Sequence, residues 1–212
     1  MRGKQMNIDV TRLIGAVNRE LETREFNGKP ARALVASRVY DTTRDDLWDA
    51  LTTIERLPRW FSPVTGDLRL GGRYQIEGNA SGEITRCEPP RFLSVTWEFS
   101  GDVSWVQVEL EKVETGALLR LEHLAHVPQE FWNQYGPGAT GVGWEQAFLG
   151  LDLYLAKSEI KPKETEVWLT TDRGKSFIRQ SSDAWGQASI AAGTDATAAR
   201  EAAQRTTEFY GG

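Results

Sequence analysis

The clearest pattern along the chain is a set of alternating apolar and polar positions. Val95, Trp97 and Phe99 alternate with Thr96 and Glu98, and Val106, Val108 and Leu110 alternate with Gln107, Glu109 and Glu111. Leu119, Leu121 and His123 alternate with Arg120 and Glu122. A period of two puts successive side chains on opposite faces, so each segment reads as a strand with one dry and one wet face. Turn residues punctuate the region: Gly71-Gly72, Gly78 to Gly82, Pro89-Pro90, Gly101 and Gly116. The pattern predicts an antiparallel meander with strands at roughly 67–70, 73–77, 82–88, 91–99, 103–112 and 117–125. Upstream, segments 16–26 and 32–41 flank Asn27-Gly28, a pair that tolerates the positive φ of a tight hairpin turn. Val35, Ser37 and Val39 share one face of the second arm; Ala36, Arg38 and Tyr40 share the other.

The period then changes to that of helices. Thr43 with Asp46 three residues on has the form of a capping box, and Leu47, Ala50, Leu51 and Ile54 give a stripe over 44–55. Pro58 ends this helix or opens a second short one. The run Gly136 to Gly143 reads as a glycine turn leading into a long helix over about 142–158, where Trp144, Phe148, Leu151 and Leu155 form one stripe with Glu145, Gln146 and Asp152 off it. After Pro162, segments near 163–171, 175–192 and 195–209 read as helices broken at Gly174 and Gly193, with Thr194 and Asp195 offering a cap.

A chain of 212 residues that is 40% hydrophobic and 26% charged supports a real core and is neither disordered nor membrane-spanning as a whole. The net charge of −5, with no run of Lys and Arg, argues against a nucleic-acid partner. The one cysteine, Cys87, allows no internal disulfide and fits a reducing compartment. Met1-Arg2-Gly3-Lys4-Gln5 is basic but is followed by no apolar core, so no leader peptide is expected. The longest apolar stretch, Ala147 to Ala156, contains Asp152 and is too short to span a bilayer. The expected location is the cytoplasm.

Several ordered motifs carry a family resemblance. They are Leu47-Trp48-Asp49-Ala50-Leu51-Thr52, Arg59-Trp60-Phe61, the run Gly66 to Tyr74, Cys87-Glu88-Pro89-Pro90, Val95-Thr96-Trp97-Glu98 and Gly141-Val142-Gly143-Trp144-Glu145. Over roughly residues 31–158 the chain resembles the bacterial relatives of the C-terminal domain of the Hsp90 ATPase activator, in the START-like (SRPBCC) superfamily. The resemblance implies an α+β helix-grip fold: a curved antiparallel sheet around a long C-terminal helix, with a hydrophobic cavity between them. It divides the chain into a START-like domain with an N-terminal hairpin, 1–160, and a helical extension, 161–212. Trp168, Phe177, Ile178, Trp185, Ile190, Phe209 and Tyr210 are too apolar for a free tail. The extension is expected to pack on its own domain, with a homodimer contact left open.

Eight tryptophans are the compositional feature that bears on chemistry. Trp48, Trp60, Phe61, Tyr74, Trp97, Leu121, Trp132, Trp144, Phe148 and Leu151 are candidates for a cavity wall, and His123, sharing the parity of Leu119 and Leu121, for a polar group beside the ligand. His123 and His126 fall on opposite faces, so no metal site is expected, and no cofactor. There is no Gly-x-Ser-x-Gly, and Gly136 to Gly143 lacks the Lys-Ser/Thr of a phosphate-binding loop. The strand carboxylates Glu77, Glu83, Glu98, Glu109 and Glu122 fall mostly on wet faces. With no acid–base constellation, binding of a small hydrophobic or amphipathic ligand stands ahead of catalysis. The alternatives are an enzyme of the polyketide cyclase or aromatase type and a co-chaperone-like interaction module. The last would bring a chaperone contact and a place in the stress response.

Overall fold

Asn27 and Gly28 both adopt positive φ, 51° and 72°, and reverse the chain between β1 (Asn18–Phe26) and β2 (Lys29–Tyr40). The computed structural model that shows this describes residues 8–158 and 160–211; Met1 to Gln5, where a leader was sought, lies outside them. Six further strands follow: β3 (Val64–Gly66), β4 (Arg73–Ile76), β5 (Ser81–Glu88), β6 (Phe92–Phe99), β7 (Asp102–Val113) and β8 (Gly116–Ala125). All pairings are antiparallel, in the order β1-β2-β8-β7-β6-β5-β4-β3. A register shift between Ile84 and Arg86 adds a residue to β5, and such a bulge bends and twists a strand.

The alternation read from the sequence maps onto the register. Trp97, Val106, Leu119, Leu121 and His123 turn to the concave face with Ala36 and Tyr40. Trp105, Glu122 and Leu124 turn to the other, where Ala31, Ala33 and Leu124 make a small cluster with Phe26 and Trp105.

Among the described residues there are seven α-helices: α1 (Val10–Gly15), α2 (Arg44–Thr52), α3 (Gln129–Tyr135), α4 (Gly138–Leu155), α5 (Pro162–Leu169), α6 (Asp172–Ala191) and α7 (Ala196–Gly211). Local chemistry starts them. Thr43 Oγ1 accepts from Asp46 N at 3.1 Å, and Asp195 Oδ1 accepts from Thr197 N and Ala198 N at 3.0 Å. α4 lies against the sheet, and α6 packs on α4, α1 and β1. Trp185, Phe177 and Ile178 of α6 are fully enclosed there. No described helix is long and apolar enough to cross a membrane.

Four boundaries differ from the sequence reading, one being the break expected at Gly174, which lies buried inside the first turn of α6. No strand forms at 67–70; β3 ends at Gly66, and the chain from Asp67 to Gly72 is a tight loop in which a Cβ on Gly72 would meet Asp67 O at 2.1 Å. Helix α3 falls between the last strand and the glycine run, where the pattern assigns no element; it is one short, exposed stretch with no buried residue. The glycine run is not a turn throughout. Gly136, with φ 57°, ends α3, and α4 is already helical from Gly138.

Candidate ligand cavity

The wall is framed by one arginine. Arg56 Nη1 donates to Asp46 Oδ1 of α2 at 2.9 Å, and its Nε donates to Tyr154 Oη of α4 at 2.8 Å. It thereby ties α2, the 3-10 turn Leu57–Arg59 and α4 together. Trp60 follows that turn and donates its indole N–H to Ala50 O at 2.9 Å. Gly150 lets α4 settle on this segment, since a Cβ there would stand 2.3 Å from Trp60 O.

Between these elements and the concave face lies a cavity of about 300 Å³. α2 contributes Trp48 and Leu51, the turn region Trp60 and Phe61, α4 Trp144, Phe148 and Leu151, and the sheet Tyr74, Trp97 and Leu121. Strand parity also brings in Ile84, Leu93, Val95, Val106, Val108 and Leu119, all in phase with the aromatic residues singled out from the sequence. Leu57, Val64, Leu68, Ile76, Cys87 and Pro89 complete the sheet and turn side; loop and turn positions such as Leu68 carry no periodic signal.

Two candidates stand elsewhere. Trp132 lies on α3 beside a separate, smaller pocket against α6 and α7, with the Arg32 guanidinium 4.2 Å from its ring. An aromatic side chain alone could not reveal this, because α3 itself was not legible. His123 is on the concave face but behind the wall, with ring centroids 6.1 Å from Trp97 and 5.9 Å from Trp144. Its Nδ1 accepts from Trp144 Nε1 at 3.0 Å and its Nε2 lies 2.8 Å from Ser104 Oγ, so neither nitrogen is left for a ligand. Burial lowers its pKa to about 4, which keeps the imidazole neutral at pH 7.

The polar atoms of the wall are mostly spent within it. Tyr74 Oη donates to Thr96 O at 2.7 Å, and Thr52 Oγ1 to Trp48 O at 2.8 Å. Burial pushes the Tyr74 hydroxyl and the Cys87 thiol upward, away from their reactive anions. Among the described residues no cluster of His, Cys, Asp and Glu has the form of a metal site.

The crystal structure of CalU16 from Micromonospora echinospora is 32% identical, covers 82% of this chain and 98% of its own, and superposes with a TM-score of 0.67. The solution NMR structure of the same protein gives 32% identity, 84% and 97% coverage and a TM-score of 0.69. Protein MLL2253 from Mesorhizobium loti is 26% identical over 61% of this chain and 100% of its own, with a TM-score of 0.53. A search of curated proteins gives no match. The model of one family, described as activator of Hsp90 ATPase homolog 1-like protein, matches residues 41–156, the segment that runs from α2 through the cavity-lining sheet to the end of α4. With its helix-grip architecture and this match over more than half its length, the chain belongs to the family of activator of Hsp90 ATPase homolog 1-like proteins.

Proposed function

We propose that the protein binds a small, uncharged hydrophobic or weakly amphipathic molecule between the sheet and α4. One observation carries this reading: among the described residues lining the 300 Å³ cavity, none is Asp, Glu, Lys, Arg or His. A charged group entering such a space would be desolvated with no partner, at a cost of several kcal/mol, whereas an apolar one gains about 25 cal/mol per Å² removed from water. The same lining favours binding over a cyclase-type reaction. Proton transfer needs a group within reach of the ligand whose pKa suits it; the titratable wall groups, Tyr74 and Cys87, are pushed upward by burial, and His123 has both nitrogens engaged behind the wall. In this reading the extension 161–212 braces α4 from outside. Trp185 packs on Gly141 and Thr206 on Gly138.

The test uses N-phenyl-1-naphthylamine, an uncharged dye that brightens in apolar surroundings. The wild-type protein is expected to take it up with one-site saturation. Ala147→Phe, which projects a ring from α4 into the lined space, is expected to fold and to exclude it. No uptake by wild-type protein, or equal uptake by Ala147→Phe, overturns the proposal.

A further inference from the structure

Trp144 Nε1, His123, Ser104 and the backbone of Trp97 form a chain of hydrogen bonds just outside the cavity. The distances are 3.0 Å from Trp144 Nε1 to His123 Nδ1, 2.8 Å from His123 Nε2 to Ser104 Oγ, and 3.2 Å from Ser104 Oγ to Trp97 O. Donor chemistry gives the chain one direction. An indole N–H only donates, so Nδ1 must accept. The neutral ring then carries its proton on Nε2 and donates to Ser104, whose hydroxyl passes its own proton to the Trp97 carbonyl. Both ends of the chain are cavity-wall residues, and their rings meet edge-on with centroids 5.1 Å apart at 60°. His123 touches the wall and not the space inside it.

We propose that His123 is a positioning residue of this site. By accepting the Trp144 indole proton it fixes the orientation in which that ring forms the wall against Trp97, and so sets which ligands fit. This inference rests on the reading of the cavity as a ligand site. Packing alone leaves a tryptophan on a cavity wall more than one orientation, because the cavity side offers no steric stop. In any rotamer other than the one seen, Trp144 loses its acceptor and His123 Nδ1 is left unmet in an apolar setting. The chain thus selects one wall shape.

The experiment has a ligand-free and a ligand-bound reading. In ¹⁵N-labelled protein the Trp144 indole N–H resonance, assigned by its loss in Trp144→Phe, is expected downfield and slow to exchange. It should stay so in His123→Asn, whose Oδ1 supplies an acceptor near the Nδ1 position, and move upfield in His123→Leu. Affinity for N-phenyl-1-naphthylamine should fall about tenfold in His123→Leu, the scale of one lost hydrogen bond, and by no more than about twofold in His123→Asn. In a Trp144→Phe background, His123→Leu should cost nothing further. Where His123→Leu does not fold, Trp144→Phe breaks the same bond from its other end and is expected to show the same loss. Wild-type affinity in His123→Leu, or an equal loss with and without the Trp144 indole, overturns the inference. A wild-type protein that shows the bonded indole resonance but takes up no dye overturns the site reading itself.

Discussion

Arg19 of β1 and Glu145 of α4 meet through two parallel hydrogen bonds, of 2.7 and 2.8 Å, at a place where both side chains are almost wholly enclosed. The same guanidinium donates to Val17 O at 2.9 Å and to Ile14 O at 3.1 Å, so the arginine also holds the end of α1. Two turns further along α4, Asp152 pairs with Arg38 of β2. Two ion pairs therefore fasten one side of the helix to the sheet, while its apolar stripe on another side lines the cavity. Charge does the fastening where side chains are close-packed, which leaves the space opposite free to stay open.

Arg19→Met leaves the Glu145 carboxylate buried without its partner and is expected to cost about 3–5 kcal/mol. Arg19→Met with Glu145→Leu removes both charges and is expected to recover most of that loss, because the desolvation of two ions is no longer required. Urea melts of the two variants check this. A double variant as unstable as the single one would show that the pair contributes more than its own desolvation costs.

Gly141 faces the Trp185 ring so closely that a Cβ would stand 2.3 Å from it. Helix propensity alone makes Gly→Ala stabilising by about 1 kcal/mol. Overpacking against a fully enclosed indole costs about 1–3 kcal/mol or more, and here it wins. Gly141→Ala is expected to be less stable than wild type, and Gly15→Ala, where nothing stands within 4 Å of the new Cβ, to be as stable or more so. Thermal melts that rank the two in the opposite order would remove the close α4–α6 approach from the account.

That glycine also shows what the sequence could and could not tell. The sheet was legible because its strands alternate, and α2 and α4 because their stripes repeat; both signals are local. Glycine is a poor helix former, so the run Gly136 to Gly143 reads as a turn. The reasons it is helical, Trp185 and Thr206, lie more than 40 residues downstream. Parity and stripe put Trp97 on a strand face and Trp144 and Phe148 on one helix face; the cavity between those faces came from the family resemblance. Trp132 could not be kept out of it, because an exposed helix such as α3 leaves no pattern. His123 was correctly phased to the inner face, but which partners consume its nitrogens is a matter of tertiary register. Arg19 and Glu145 read simply as charged residues.

Leu110 and Leu119 are register partners on β7 and β8 and are equally buried, yet only Leu119 borders the cavity. Truncating a fully packed leucine costs its transfer energy plus the energy of the hole it leaves, about 2–5 kcal/mol in all. Leu119 already lacks contacts on one side, so Leu119→Ala is expected near the lower end of that range and Leu110→Ala near the upper. Equal losses in denaturant melts would mean that the space beside Leu119 is closed in solution.

The pKa of His123 is lowered by burial to about 4 in the folded protein, against about 6.5 for an unperturbed imidazole. The unfolded chain therefore binds this proton more readily than the folded one. The stabilisation is complete above pH 6.5, is lost as the pH falls from 6.5 towards 4, and does not change further below that. The shift corresponds to about 3 kcal/mol at most, roughly one proton's worth of slope. Carboxylates add to acid sensitivity in a lower window. Asp46 is held down by the hydrogen bond from Thr42, Glu88 by Arg86 and Glu98 by Arg73, and each stabilises above its unfolded pKa, near 4, and loses that stabilisation below it. Between pH 6.5 and 4.5 the histidine is thus the main contributor among these groups. Unfolding free energies measured across that interval are expected to fall in the wild type and to stay nearly flat in His123→Asn, which has nothing to titrate at that position. Protonation would also place a second donor on Nδ1, facing the Trp144 indole N–H 3.0 Å away, so the indole signature of that bond should disappear only as the protein itself begins to unfold. Parallel pH profiles for wild type and variant would show that His123 titrates as an ordinary, solvated imidazole.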